Sequence, residues 1–134
     1  METLKKLRII STNVRGLRQV KKRGDFWLKY KELKADVICL QETHLVEADI
    51  HDLKLEWNIE YLLGGNSTNS RGVAVLINNT FEYDILETIV DVDGRFIVTK
   101  LNLIGLCTVT IANIYAPNLD DPDWFNSLFK KSRK

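Results

Sequence analysis

Cysteine occurs only twice, at Cys39 and Cys107, and each sits in an apolar run, VICL or LCTVTI. The pair lacks the close spacing of a zinc site, and both are expected to be buried free thiols. Long apolar runs are missing too: no stretch approaches the roughly 18 to 20 residues needed to cross a bilayer. The opening METLKKLRIISTN has no sustained apolar signal region, so the expected setting is intracellular, nuclear or cytoplasmic, with no membrane partner. Net charge is nearly absent, with 19 Lys and Arg against 18 Asp and Glu, which excludes any whole-chain electrostatic argument for a polyanionic partner. Internal repeats and low-complexity linkers are not found. What remains is a chain of 134 residues, 45% hydrophobic and 28% charged, the balance of one ordinary globular domain.

The charge that is present is unevenly placed. Residues 1–34 hold 11 basic residues and three acids, whereas residues 35–129 hold four basic residues and 15 acids. The basic segment is either a phosphate-binding surface or the solvated face of a helix, and composition does not choose between them. Leu4 to Thr12, with Ile9 and Ile10 at its centre, suits a buried strand ending at Asn13. Phe26, Trp27, Tyr30 and Leu33 recur at helical spacing and leave Lys22, Lys29, Lys31 and Lys34 outside, which predicts a helix with a basic outer face. Val37 to Leu40 is a short continuous apolar run of the kind that forms a strand buried on both faces, so the segment reads as strand, helix, strand. Glu60 to Leu63, Gly72 to Ile77, Phe81 to Val90, Arg95 to Leu103 and Leu106 to Tyr115 then read as an antiparallel meander. Gly64-Gly65-Asn66, Asn78-Asn79, Asp93-Gly94 and Gly105 punctuate it. Pro117 breaks the last strand, and Asp121-Pro122 opens a short helix carrying Trp124, Phe125, Leu128 and Phe129.

Three polar clusters fall where strands end, a place where side chains are rigidly supported yet reach solvent: Asn13, Gln41-Glu42-Thr43 and Tyr115-Ala116-Pro117-Asn118. Taken singly, each has an ordinary explanation as a turn residue, a solvated carboxylate or a packing aromatic. In order and in context, TNVRGL, LQETHL, SRGVAVLI and NIYAPN resemble the endonuclease/exonuclease/phosphatase superfamily, most of all the endonuclease of LINE-type retrotransposons, itself similar to apurinic/apyrimidinic endonucleases. The resemblance runs from about Leu7 to Asn118. It implies an α/β fold, a four-layer sandwich of mostly antiparallel strands and few helices. It also implies metal-dependent phosphodiester hydrolysis with DNA as partner. Glu42 matches the principal metal ligand and Asn13 the residue that supports the metal site and the phosphate. Tyr115 matches a tyrosine contacting the scissile phosphate, and Asn118 a polar residue lining the site. Mg²⁺ is the implied cofactor, and Mn²⁺ accepts the same oxygen-rich coordination. Where related sequences often carry Asp or Asn two positions after the first Asn, this chain has Arg15.

The resembling domain is about twice as long. Its later Asp-x-Asn and Ser-Asp-His motifs are not found, and no histidine follows His51. Residues 1–134 are therefore expected to be the first half of such a domain, weak or silent in catalysis alone. Self-association is expected through the β-prone segments Gly72 to Ile77 and Leu106 to Tyr115. Two other readings remain open: a non-catalytic nucleic-acid-binding fragment using Lys21 to Lys34 and Lys130 to Lys134, and a phosphatase of the same superfamily. His44 is expected to be structural or solvated, His51 has no partner motif, and Arg71 is either a solvated loop residue or one that approaches the nucleic-acid backbone.

Overall fold

The structure is a computed structural model that describes residues 6–49, 59–65 and 71–116, together with Asp123 and Asn126. Its elements are β1 (Ile9–Asn13), α1 (Val20–Leu33), β2 (Val37–Gln41), a 3₁₀ turn (Glu47–Asp49), β3 (Glu60–Gly64), β4 (Val73–Ile77), β5 (Tyr83–Val90), β6 (Phe96–Leu103) and β7 (Cys107–Ile114). They form two sheets, one ordered β1-β2-β4-β3 and the other β5-β6-β7.

Alternation of side chains explains why two of these strands are apolar throughout. Ile38, Leu40, Ala74 and Leu76 face α1 and pack with Tyr30, Leu17, Val14 and Leu45. Val37, Cys39, Val73, Val75 and Ile77 face the second sheet and pack with Ile97, Leu101, Leu103 and Ile111. β2 and β4 are thus covered on both faces, which is why VICL and VAVLI carry no polar alternation. The α/β class is as expected from the sequence, with layers of helix, sheet and sheet among the described residues.

Four expectations need correction. The first strand is shorter than Leu4 to Thr12 and is not buried: β1 alternates between exposed and half-buried because, among the described residues, it is an outer strand, paired in parallel with β2 on one side. The antiparallel segments do not make one meander. β4 lies between β2 and β3, and only β5, β6 and β7 run as consecutive hairpins. That placement leaves the Gly72 to Ile77 segment no free edge for another chain, whereas β7 is an outer strand. Finally, Cys107 is exposed, because it begins that outer strand directly after the Ile104–Leu106 turn. The expected helix after Asp121 lies outside the described residues except for Asp123 and Asn126, both helical.

The two thiols should consequently differ in reactivity. Burial raises the Cys39 thiol to about 11 and shields it from reagents. At pH 8 Ellman's reagent should titrate one thiol of the folded chain rapidly and the second only after denaturant is added, and Cys107→Ser should abolish the fast phase. A fast phase surviving in Cys107→Ser would contradict this packing.

Candidate active site

The ends of β1, β2 and β7, the start of β4 and the β5–β6 turn converge at one end of the sandwich, and a continuous set of backbone hydrogen bonds ties them together. Val14, Gly16 and Leu17 N–H groups donate to the carbonyls of Gln41, Glu42 and Thr43 at 3.0, 2.7 and 2.8 Å. Thr43 and His44 N–H groups donate to Gly72 and Arg71 at 3.0 and 2.9 Å, and Gly72 N–H donates to Gly94 at 3.2 Å. Tyr115 N–H reaches Arg95 at 2.7 Å. Loops held by backbone pairing on both sides position their side chains far better than free loops do.

This end also concentrates unusual backbone. Arg15, Glu42, His44 and Arg71 have φ of 52°, 56°, 58° and 60°, a region that residues with a Cβ seldom occupy. Each such residue costs of the order of 1–3 kcal/mol and persists only where surrounding structure imposes it. At Glu42 the turn into left-handed backbone ends the β2 ladder immediately after Gln41 and lifts the next residue out of the sheet.

Asn13 ends β1 and is exposed, and its Oδ1 accepts the Arg15 N–H at 3.2 Å, an Asx turn that shapes the loop. The Glu42 side chain is 28% exposed, with Oε1 3.7 Å from His44 Nε2. Of the two settings expected for His44, structural or solvated, the structure shows the structural one: its Nε2 is shielded from solvent with no hydrogen-bond partner, and its ring lies against Gly16. Tyr115 is half-buried at the inter-sheet core, with the Arg95 guanidinium 5.4 Å from its ring centroid. That contact has the range of a cation–π interaction and places a positive charge beside the phenol. Arg71 is exposed. Asn118 and His51 lie outside the described residues.

Two residues that lie within the motifs LQETHL and NIYAPN, but were given no role there, help build this end. Asn113 of β7 is 2% exposed, and its Nδ2 donates to the carbonyls of Leu40 at 3.0 Å and Ala74 at 2.8 Å. Its Oδ1 accepts Gln41 Nε2 at 2.7 Å, and Gln41 Nε2 also donates to Ser11 Oγ at 2.9 Å. An amide at an inward position between Ile111 and Tyr115 was the available sequence signal, because burial there obliges it to find partners.

Some of the basic segment is engaged within the fold. Arg23, 4% exposed, donates to Leu17 O at 3.0 Å and Arg18 O at 2.8 Å, and Lys22 Nζ donates to Arg15 O at 3.2 Å. These cations fasten the β1–α1 loop, which accounts for part of the charge run without a phosphate ligand.

Among the described residues no group of three or more His, Cys, Asp or Glu is gathered as a metal cluster. Glu42 nonetheless suits a hard divalent cation of the Mg²⁺ class, which is commonly held by one or two carboxylates with phosphate and water completing its shell. A partly exposed carboxylate on an imposed backbone turn fits that minimal site.

A model of the endonuclease/exonuclease/phosphatase family matches residues 10–131. Over 116 residues the chain is 29% identical to an exodeoxyribonuclease of Bacillus subtilis strain 168, spanning 84% of this chain and 43% of that protein. The AP endonuclease LMAP of Leishmania major has a similar structure, with TM-score 0.67 and 21% identity over 93% of this chain and 44% of that one. The endonuclease domain of TRAS1, a telomere-specific non-LTR retrotransposon, has TM-score 0.65 and 9% identity over 93% of this chain and 52% of that one. The chain thus spans about half the length of these proteins.

Proposed function

The chain belongs to the endonuclease/exonuclease/phosphatase family, and from that premise we propose that it carries part of a metal-dependent site that hydrolyses phosphodiester bonds in DNA. The observation that carries this reading is the convergence of Asn13, Glu42 and Tyr115, from three different strand ends, on one hydrogen-bonded set of loops.

In this reading Glu42 holds the divalent ion, Mg²⁺ or Mn²⁺, with Asn13 beside it supporting the metal site and the phosphate. When bound, the ion supplies charge neutralisation at the phosphate. Tyr115 presents its hydroxyl to the scissile phosphate. The Arg95 guanidinium over its ring adds positive potential where negative charge develops. Asn118, outside the described residues, is assigned to the same site on the NIYAPN motif alone. Residues 1–134 act as the first half of the domain, with the group that activates water contributed from elsewhere. Loss of a positioned base costs roughly 10² to 10⁴ in rate, so these residues alone should be slow. The finer reading is an endonuclease of the LINE retrotransposon type, supported by TNVRGL, LQETHL and NIYAPN, working in the nucleus or cytoplasm. The outer strand β7 is the edge through which copies would associate.

Plasmid nicking with Mg²⁺ tests the reading, using this chain and the same chain extended by the second half of the Bacillus subtilis exodeoxyribonuclease. Little or no nicking by the first and metal-dependent nicking by the second, lost in Glu42→Ala, is the expected pattern. Nicking by the extended chain that survives Glu42→Ala would overturn it.

A further inference from the structure

Glu42 follows a strand of one sheet and Tyr115 follows a strand of the other, so their separation depends on how the sheets are held at this end. We infer that Asn113, acting through Gln41, is a positioning residue that fixes Glu42 relative to Tyr115. This rests on reading those two residues as one site.

Three observations carry the inference. Asn113 is nearly fully buried, and its amide is committed on every side: Nδ2 to Leu40 O and Ala74 O, Oδ1 to Gln41 Nε2. Leu40 and Ala74 are direct partners across β2 and β4, so one side chain of β7 grips two strands of the opposite sheet. The amide orientation is dictated by its surroundings, since the flipped form would set Oδ1 against two carbonyls and its NH₂ against that of Gln41. Second, the grip is adjacent to both site residues. Gln41 is bonded in sequence to Glu42, and Asn113 stands two residues before Tyr115 on the same face of the strand. Third, Gln41 extends the link to Ser11 of β1, two residues before Asn13, so a single amide pair connects the three strand ends that supply Asn13, Glu42 and Tyr115. A second side-chain bond between the sheets, Tyr83 Oη to Glu60 Oε1 at 2.8 Å, lies at the opposite end and cannot set this spacing.

A purely structural asparagine would satisfy two carbonyls and leave the site spacing unchanged when replaced in a chain that still folds. A positioning asparagine would not. The test is paramagnetic broadening of tyrosine ring signals by Mn²⁺ in the full chain, with Tyr115 assigned by Tyr115→Phe. In the native chain Tyr115 should broaden most, and Glu42→Ala should remove the effect. In Asn113→Ala and in Gln41→Met the broadening of Tyr115 relative to Tyr61 should fall by about twofold or more, as a shift of about 1 Å would produce. Circular dichroism reports whether each variant remains folded. Gln41→Met leaves both Asn113–carbonyl bonds in place, so it decides the matter if Asn113→Ala does not fold. Unchanged relative broadening in folded Gln41→Met would overturn the positioning role. Absence of any Mn²⁺ effect on native Tyr115, or an effect that persists in Glu42→Ala, would instead remove the site reading and this proposal with it.

Discussion

Glu42→Ala is expected to weaken Mn²⁺ binding by roughly 30-fold or more, read by electron paramagnetic resonance of the free ion. The size follows from charge. One carboxylate about 4 Å from a dication in water contributes about 2 kcal/mol, and direct ligation in a partly shielded pocket contributes more. Among the described residues no group of three or more His, Cys, Asp or Glu is gathered that could hold the ion in its place. The neighbouring groups predict a gradient of effects. Asn13→Ala removes a neutral oxygen donor that already accepts the Arg15 N–H, so it should weaken binding far less than Glu42→Ala. Asp49, at 3.5 Å from Arg18, belongs to a separate ion pair, and Asp49→Asn should leave Mn²⁺ affinity nearly unchanged. Equal losses in all three variants would mean diffuse attraction to an acidic surface and not a site built on Glu42.

The readable parts of this molecule were those in which one local rule decides the outcome. VICL and VAVLI could be read as strands buried on both faces because continuous apolar character has few other uses at that length. The strand boundaries near Asp93-Gly94 and Gly105 were legible from turn chemistry, and both glycines have positive φ, at 78° and 79°. Which strand pairs with which was not legible. β4 had the option of continuing into a meander with β5 or of inserting between β2 and β3, and that choice depends on which apolar faces find cover in three dimensions. At the proposed site, the motifs point to Asn13, Glu42 and Tyr115, and each ends or follows a strand. The contacts of Asn113, although it begins NIYAPN, and of Arg95 could not be read, since they are made with partners distant in sequence, 73 residues for the bond from Asn113 to Leu40. For His44 the sequence left structural and solvated settings open for the same reason. Its shielding comes from the neighbouring loop at Gly16, which the sequence around LQETHL does not reveal.

Gly72→Ala and Gly24→Ala should move stability in opposite directions, although the chemical change is identical. Gly72 has φ +97°, and a Cβ there would meet Thr43 Oγ1 at 2.5 Å and His44 N at 3.1 Å. Thr43 is completely buried and its hydroxyl accepts the Leu45 N–H at 3.2 Å, so it has little room to yield. Backbone strain of about 1–3 kcal/mol and overpacking of about 1–3 kcal/mol therefore combine. With a few degrees of melting temperature per kcal/mol for a domain of this size, the midpoint should fall by about 10 °C. The damage should also reach the site, because Gly72 accepts the Thr43 N–H and donates to Gly94, the two links that join the Glu42 loop to the β5–β6 turn. Gly24, by contrast, lies inside α1 with open space where a Cβ would stand. Alanine there reduces the freedom of the unfolded chain and should stabilise the fold by about 0.5–1 kcal/mol. Thermal denaturation of the two variants beside the native chain, with Mn²⁺ affinity measured in parallel, gives the comparison. A Gly72→Ala chain that melts with the native one would contradict the close approach of these loops, and with it the framework that presents Glu42.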